Sequence, residues 1–240
     1  MKLTRNTILI TGGSTGIGLV LAKTFLEMDN QVIITGRNQK KLQEAEKMHP
    51  GLHTIVADME NRQDIQELAK KTEHCNIVIN NAGIQYNYQL ADEKVDVSML
   101  EQEFHINLIG PTLLIKLMLP NLLKKKSAAI VNVTSGLAIV PKQSAAVYCA
   151  SKAALHSFTI ALRYQLEKTV VKVFEIMPPL VDTQMTHGRG TGKITAQSLV
   201  NEFLADFEND KYFSKIGKVK LLVIIQRLWP GLAARILRNS

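Results

Sequence analysis

The 240 residues carry 46% hydrophobic side chains, 29 Lys and Arg against 21 Asp and Glu, and two cysteines. That length and composition suit one globular α/β domain and exclude a collagen-like, disordered or disulfide-stapled chain. The net charge of +8 does not mark a nucleic-acid binder, because seven basic and no acidic residues fall within 211–240, leaving the remainder nearly balanced.

The first residues are basic, but the apolar run behind them stops at Thr11-Gly12-Gly13, too early for a signal peptide. Runs such as 221–225 are far short of a bilayer span, so the expectation is a cytoplasmic protein. Cys75 and Cys149 are read as independent core residues.

Short β-branched runs at 7–11, 31–35, 52–57, 77–80, 129–134 and 171–177 alternate with helical patterns. The helical stretches are 16–28, 38–48, 62–71, 97–123 and 145–167. Buried strands without polar alternation belong to sheets covered on both faces. The pattern predicts a single-domain Rossmann-type α/β fold, a doubly wound parallel sheet with helices on both faces. Ligands in such sheets bind beyond the carboxyl ends of the strands.

Pro178-Pro179 ends the regular pattern, and 183–195 is polar with Gly188, Gly190 and Gly192. The stretch 183–210 is read as a substrate lid, with a plain surface loop as the alternative. A basic extension, 211–240, follows, in which Leu221, Ile224, Ile225, Leu228 and Trp229 form an apolar stripe. The reading is that this stripe packs on its own subunit or a dimer partner. Peripheral contact of 218–238 with an anionic membrane is the second reading.

The run Ile8-Leu9-Ile10-Thr11-Gly12-Gly13-Ser14-Thr15-Gly16-Ile17-Gly18 is a strand entering glycines and then a helix. Gly12 permits the tight turn, Gly16 lets a pyrophosphate approach the backbone, and Gly18 lets helix and strand pack closely. The helix N-terminus offers unpaired N–H groups to the anion. The second strand ends Thr35-Gly36-Arg37, with no carboxylate for a ribose hydroxyl and a cation suited to a 2′-phosphate. NADP is therefore preferred, with NAD as the alternative.

Tyr148 and Lys152 are four residues apart, on one helix face. A tyrosine of ordinary pKa near 10 needs roughly 4 kcal/mol of differential stabilisation to exchange its proton near pH 7. A neighbouring cation contributes in that direction. Ser135 closes a predicted strand, where its hydroxyl can meet a substrate carbonyl beside Tyr148. Asn107 lies in an apolar helical stretch, where it either ties helices together or holds a water in a relay towards Lys152.

Together these residues resemble the short-chain dehydrogenase/reductase family, over about residues 4–185. Residues 11–18 resemble its cofactor loop, and Asn80-Asn81-Ala82-Gly83 its signature after the fourth strand. Asn107, Ser135, Tyr148 and Lys152 fall in the order of its catalytic tetrad. The resemblance implies cofactor contacts from Thr11, Gly12, Ser14, Thr15, Gly16, Ile17, Gly18 and Arg37. It implies further ones from Asp58, Met59, Asn81, Ala82, Gly83, Tyr148, Lys152, Pro178, Val181 and Thr183, and no metal. Residues 81–85, 131–138 and 178–183 resemble the DltE-like branch. Where the family usually has Pro-Gly this chain has Pro178-Pro179, which lacks an N–H at the second position.

The activity implied is NAD(P)-dependent hydride transfer between nicotinamide and a carbonyl/alcohol substrate, with Tyr148 as acid/base. In that scheme Lys152 also binds ribose and lowers the pKa of Tyr148. The resemblance further implies a homodimer, paired through the helices bearing Asn107 and Tyr148. Alternative readings are a non-catalytic nicotinamide sensor and a cell-envelope accessory protein.

Overall fold

The computed structural model describes residues 1–238. Nine strands appear: β1 (Thr7–Thr11), β2 (Gln31–Gly36), β3 (Leu52–Val56), β4 (Ile77–Asn80), β5 (Ala128–Val133), β6 (Val171–Met177), β7 (Val181–Asp182), β8 (Ile194–Thr195) and β9 (Phe213–Lys215). Between and after them lie α1 (Gly16–Glu27), α2 (Gln39–Met48), α3 (Arg62–Lys71), α4 (Val97–Phe104), α5 (Gly110–Leu122), α6 (Ala146–Leu166), α7 (Ala196–Glu208), α8 (Val219–Leu228) and α9 (Pro230–Leu237). Seven strands form one parallel sheet in the order β3-β2-β1-β4-β5-β6-β9, and β7 pairs with β8 apart from it. The order reverses direction between β1 and β4, which fixes the crevice at their carboxyl ends.

The sheet separates two cores. On one face Leu21, Phe25 and Leu42 from α1 and α2 join Leu199, Phe203 and Phe207 from α7. On the other, Ile65, Leu68, Leu114, Met118 and Leu162 come from α3, α5 and α6. Gln143–Leu166 has the length and hydropathy of a membrane span, yet α6 buries Leu155, Thr159, Leu162 and Leu166. Both cysteines are buried free thiols, and burial pushes Cys75 up to about 12.

Three expectations are corrected here. Residues 196–208 are not part of a lid: α7 closes one core, with Phe207 stacked 4.6 Å from Phe174, 5.2 Å from Phe203 and 6.3 Å from Phe25, centroid to centroid. Its start is signalled by Thr195, whose hydroxyl caps the Ser198 N–H. The C-terminal stripe does not pack on its own subunit, because Leu221, Ile224, Leu228 and Trp229 are exposed while Val219 and Ala233 are the buried residues of α8 and α9. On the helical stretches bearing Asn107 and Tyr148, expected to pair across a dimer, the apolar Leu114, Leu155 and Leu162 belong to the subunit's own core.

Candidate active site

A cleft of about 320 Å³ opens over the carboxyl ends of β1, β2, β4 and β5. Ser14, Thr15, Gly16 and Ile17 line it at the start of α1. Four helices begin with a side-chain cap, from Asn38, Asn61, Asp96 and Thr195. At α1, Thr15 makes no cap bond, so the first N–H groups remain available to an anion. Gly12, at φ +64°, lies so close to Ala82 that a Cβ there would stand 2.8 Å from the Ala82 Cα. These features fit a dinucleotide pyrophosphate.

Not every residue expected at the cofactor reaches the cleft. Gly12, Ser14, Thr15, Gly16, Ile17, Arg37, Asp58, Met59, Asn81, Ala82, Gly83, Tyr148, Lys152, Pro178 and Thr183 line it. Thr11, Gly18 and Val181 do not, and each has a structural role instead. The buried Thr11 hydroxyl accepts the Asn81 and Ala82 N–H groups, each at 3.1 Å, joining the first and fourth strand ends. Gly18 packs under Asn81, where a Cβ would come within 2.4 Å of both Asn81 Nδ2 and the Gly12 carbonyl. Val181 is buried in the core as part of β7.

Near Gly36, where a Cβ would stand 3.4 Å from Ser14 Oγ, Arg37 and Lys41 line the cleft together. The sequence reading missed Lys41, whose Nζ donates to Gln184 Oε1 at 2.9 Å. Its signal was present: a cation in the first turn of a helix immediately after the second strand. Arg37 stands 3.9 Å from Asp58, both partly exposed, a pairing too weak to withhold the guanidinium from a ligand.

Tyr148 and Lys152 emerge from the first turns of α6, both buried. Lys152 Nζ donates to the Val133 carbonyl at 2.8 Å and lies 5.9 Å from the Tyr148 ring centroid. Burial lowers its pKa to about 8. Burial raises Tyr148 to about 12, opposed first by a hydrogen bond with Ser135 and further by Arg189, while Glu103 adds to the rise. The expected lowering of Tyr148 by Lys152 is absent from this balance. Ser135 also accepts the Leu137 N–H through its hydroxyl at 3.1 Å.

Asn107 sits in a π-helical turn, His105–Ile109, between α4 and α5. Its Oδ1 accepts the Ile84 N–H at 2.9 Å, and Nδ2 donates to the Ile84 carbonyl at 2.9 Å and Ser151 Oγ at 3.1 Å. Both amide hydrogens are spent, so the side chain ties the Gly83-Ile84 loop to α6. Among the described residues no group of His, Cys, Asp and Glu is placed to hold a metal ion.

A doubly wound sheet, an uncapped helix at its switch point and a Tyr–Lys–Ser cluster beside the cleft together define a dinucleotide-binding oxidoreductase. The family model described as short chain dehydrogenase matches residues 6–193, and the chain belongs to that family. It is 48% identical over 187 residues to the uncharacterized oxidoreductase DltE of Bacillus subtilis, covering 76% of this chain and 74% of that protein. An uncharacterized oxidoreductase of Staphylococcus epidermidis is 32% identical over 208 residues, covering 83% and 90%. A short-chain dehydrogenase from Burkholderia cenocepacia, solved with NADP, superposes over all of both chains with a TM-score of 0.89 at 26% identity. This chain is thus an NAD(P)-dependent dehydrogenase or reductase of the DltE-like branch.

Proposed function

We propose that the protein interconverts a carbonyl and an alcohol, using NADP in preference to NAD, with Tyr148 transferring the proton. The observation that carries the reading is the Tyr148–Ser135–Lys152 cluster beside a cleft that also offers the uncapped α1 N-terminus. The bound nicotinamide supplies or accepts the hydride. Ser135 orients the substrate oxygen, and its interaction with Tyr148 opposes the rise that burial imposes on the phenol. Tyr148 holds its proton at neutral pH, the form required to protonate the product of reduction. In oxidation the same phenol must lose that proton. From about 12, reaching pH 7 needs roughly 7 kcal/mol of differential stabilisation. Lys152 contributes positive charge beside the ring, and Asn107 keeps the Ile84 loop in register with α6.

Arg37 and Lys41, at one end of the cleft with no acidic residue at Gly36, support the NADP preference. The Burkholderia cenocepacia neighbour was solved with that cofactor. We also propose a homodimer through the outer faces of α5 and α6 and the π turn before α5, where Leu113, Leu117, Phe158 and Leu108 remain half-buried. A monomer in sedimentation at micromolar concentration would oppose this. The function is tested by assaying ketones, aldehydes and alcohols with both cofactors at the nicotinamide absorbance. Turnover with NADP exceeding that with NAD is expected, and no turnover across a broad panel with either cofactor contradicts the reading.

A further inference from the structure

Three loops meet over Tyr148. The Tyr88 N–H donates to the Ser144 carbonyl at 3.0 Å, and Arg189 Nη2 donates to the Gln85 carbonyl at 3.4 Å. The Cys149 thiol, next to Tyr148, lies 4.0 Å from the Lys142 carbonyl. Two partly buried cations, Lys142 and Arg189, are carried to this junction on separate loops.

Neither cation has an acidic partner within ion-pair distance among the described residues. Arg189 Nη1 is buried and makes no hydrogen bond. The nearby buried carboxylate, Glu103, is engaged elsewhere: it accepts the Tyr86 N–H at 2.8 Å and the Tyr88 hydroxyl at 2.9 Å. Burial first, and then the charge of Arg189, push Lys142 below the ordinary lysine range, so the two like charges feel one another. Arg189 also acts electrostatically on the Tyr148 phenol.

A buried guanidinium nitrogen without an acceptor is costly, and two cations on neighbouring loops without a counter-charge add repulsion. The Arg189 loop is nonetheless well held. Its N–H donates to the Thr186 carbonyl at 3.0 Å, and Lys193 Nζ donates to the same carbonyl at 2.7 Å. An anion bound by both cations would reduce both costs.

Building on the oxidoreductase reading, we propose that the substrate is an anionic carbonyl or alcohol compound whose carboxylate or phosphate is held by Lys142 and Arg189. The reacting carbon then lies at Tyr148, so the anion and the carbonyl sit on one short molecule. Arg189 presents the planar fork suited to two oxygens and Lys142 a point charge. Turnover and binding follow separately, so this proposal and the activity it rests on fail independently.

The test uses the full chain with NADPH as hydride donor. Acetoacetate, its methyl ester and dihydroxyacetone phosphate are compared as substrates, and inorganic phosphate is titrated calorimetrically. The wild type should prefer both anionic ketones to the ester by roughly 10- to 100-fold in kcat/KM, the range set by a charged hydrogen-bonded pair. Arg189→Met and Lys142→Met should abolish that preference and the phosphate heat, and Arg189→Lys should restore part of it. Which of the two ketones is favoured distinguishes carboxylate from phosphate. Arg189-dependent anion binding without any turnover would leave the anion site standing and remove the oxidoreductase reading. Equal rates for acid and ester, or anion binding indifferent to both substitutions, overturns the anion site itself.

Discussion

Lys152 should be a liability for stability in the cofactor-free protein. Its ammonium is buried beside the sheet, and burial brings its pKa from 10.5 to about 8. Taking about 1.36 kcal/mol for each pH unit of displacement, keeping it charged at pH 7 costs roughly 3 kcal/mol. Lys152→Met removes that cost, fills similar volume and leaves the Val133 carbonyl without its donor, a loss of about 1–3 kcal/mol. The variant should therefore be at least as stable as the wild type at pH 7, by about 0–2 kcal/mol, with about 2–4 °C in Tm per kcal/mol for a chain of this size. Below pH 8 both the folded and unfolded wild type hold the lysine proton, so the cost is constant. Between pH 8 and 10.5 the unfolded chain keeps a proton that the folded one has shed, and wild-type stability rises with pH. The advantage of the variant should shrink across that window. Tyr148 titrates in both proteins and cancels in the difference. Urea denaturation of both proteins at pH 7 and pH 10, without cofactor, supplies the numbers. A variant less stable than the wild type at pH 7, or a difference that does not change with pH, would refute the reasoning.

Other consequences can be measured directly. Phe207→Ala should cost about 3–5 kcal/mol in urea denaturation, because it opens the aromatic cluster between α7 and the sheet; a change under 1 kcal/mol would return 196–208 to the surface. Arg37→Ala should weaken NADP binding by about 1.5–3 kcal/mol by calorimetry and leave NAD binding nearly unchanged. With the phenol raised by burial, reduction should hold its rate through neutral pH, whereas oxidation should accelerate as pH rises and phenolate forms; an oxidation rate falling from pH 7 to 9 in the folded protein would contradict this. Thr11→Val strands the Asn81 and Ala82 N–H groups and should lower thermal stability by about 2 kcal/mol or more.

The parallel sheet was legible because 7–11, 31–35, 77–80 and 171–177 are mostly buried and read as short runs rich in β-branched and apolar residues, with Lys172 and Glu175 the charged exceptions in the last. Strand β9 was not, since Phe213-Ser214-Lys215 has no apolar run and becomes a strand through pairing with β6. Helix α7 was readable: Leu199, Val200, Phe203, Leu204 and Phe207 have helical spacing behind the Thr195 cap, but the glycines at 188, 190 and 192 drew the lid reading too far. The glycine loop and the Tyr–Lys pair could be placed from spacing, because their geometry is local. The π turn around Asn107, the junction of Tyr88 with Ser144 and the bond of Arg189 to the Gln85 carbonyl come from tertiary packing of distant segments, which no local pattern encodes.

The central claim is that Tyr148 moves the proton in a cleft that binds a nicotinamide dinucleotide. Tyr148→Phe removes one oxygen and keeps the ring packed against Ala145 and Cys149. Cofactor affinity by calorimetry and turnover at the nicotinamide absorbance, measured on the same preparation, test it most directly. The account predicts NADP affinity within about twofold of wild type and turnover reduced by at least about 100-fold. Near-normal turnover in the phenylalanine variant would contradict it.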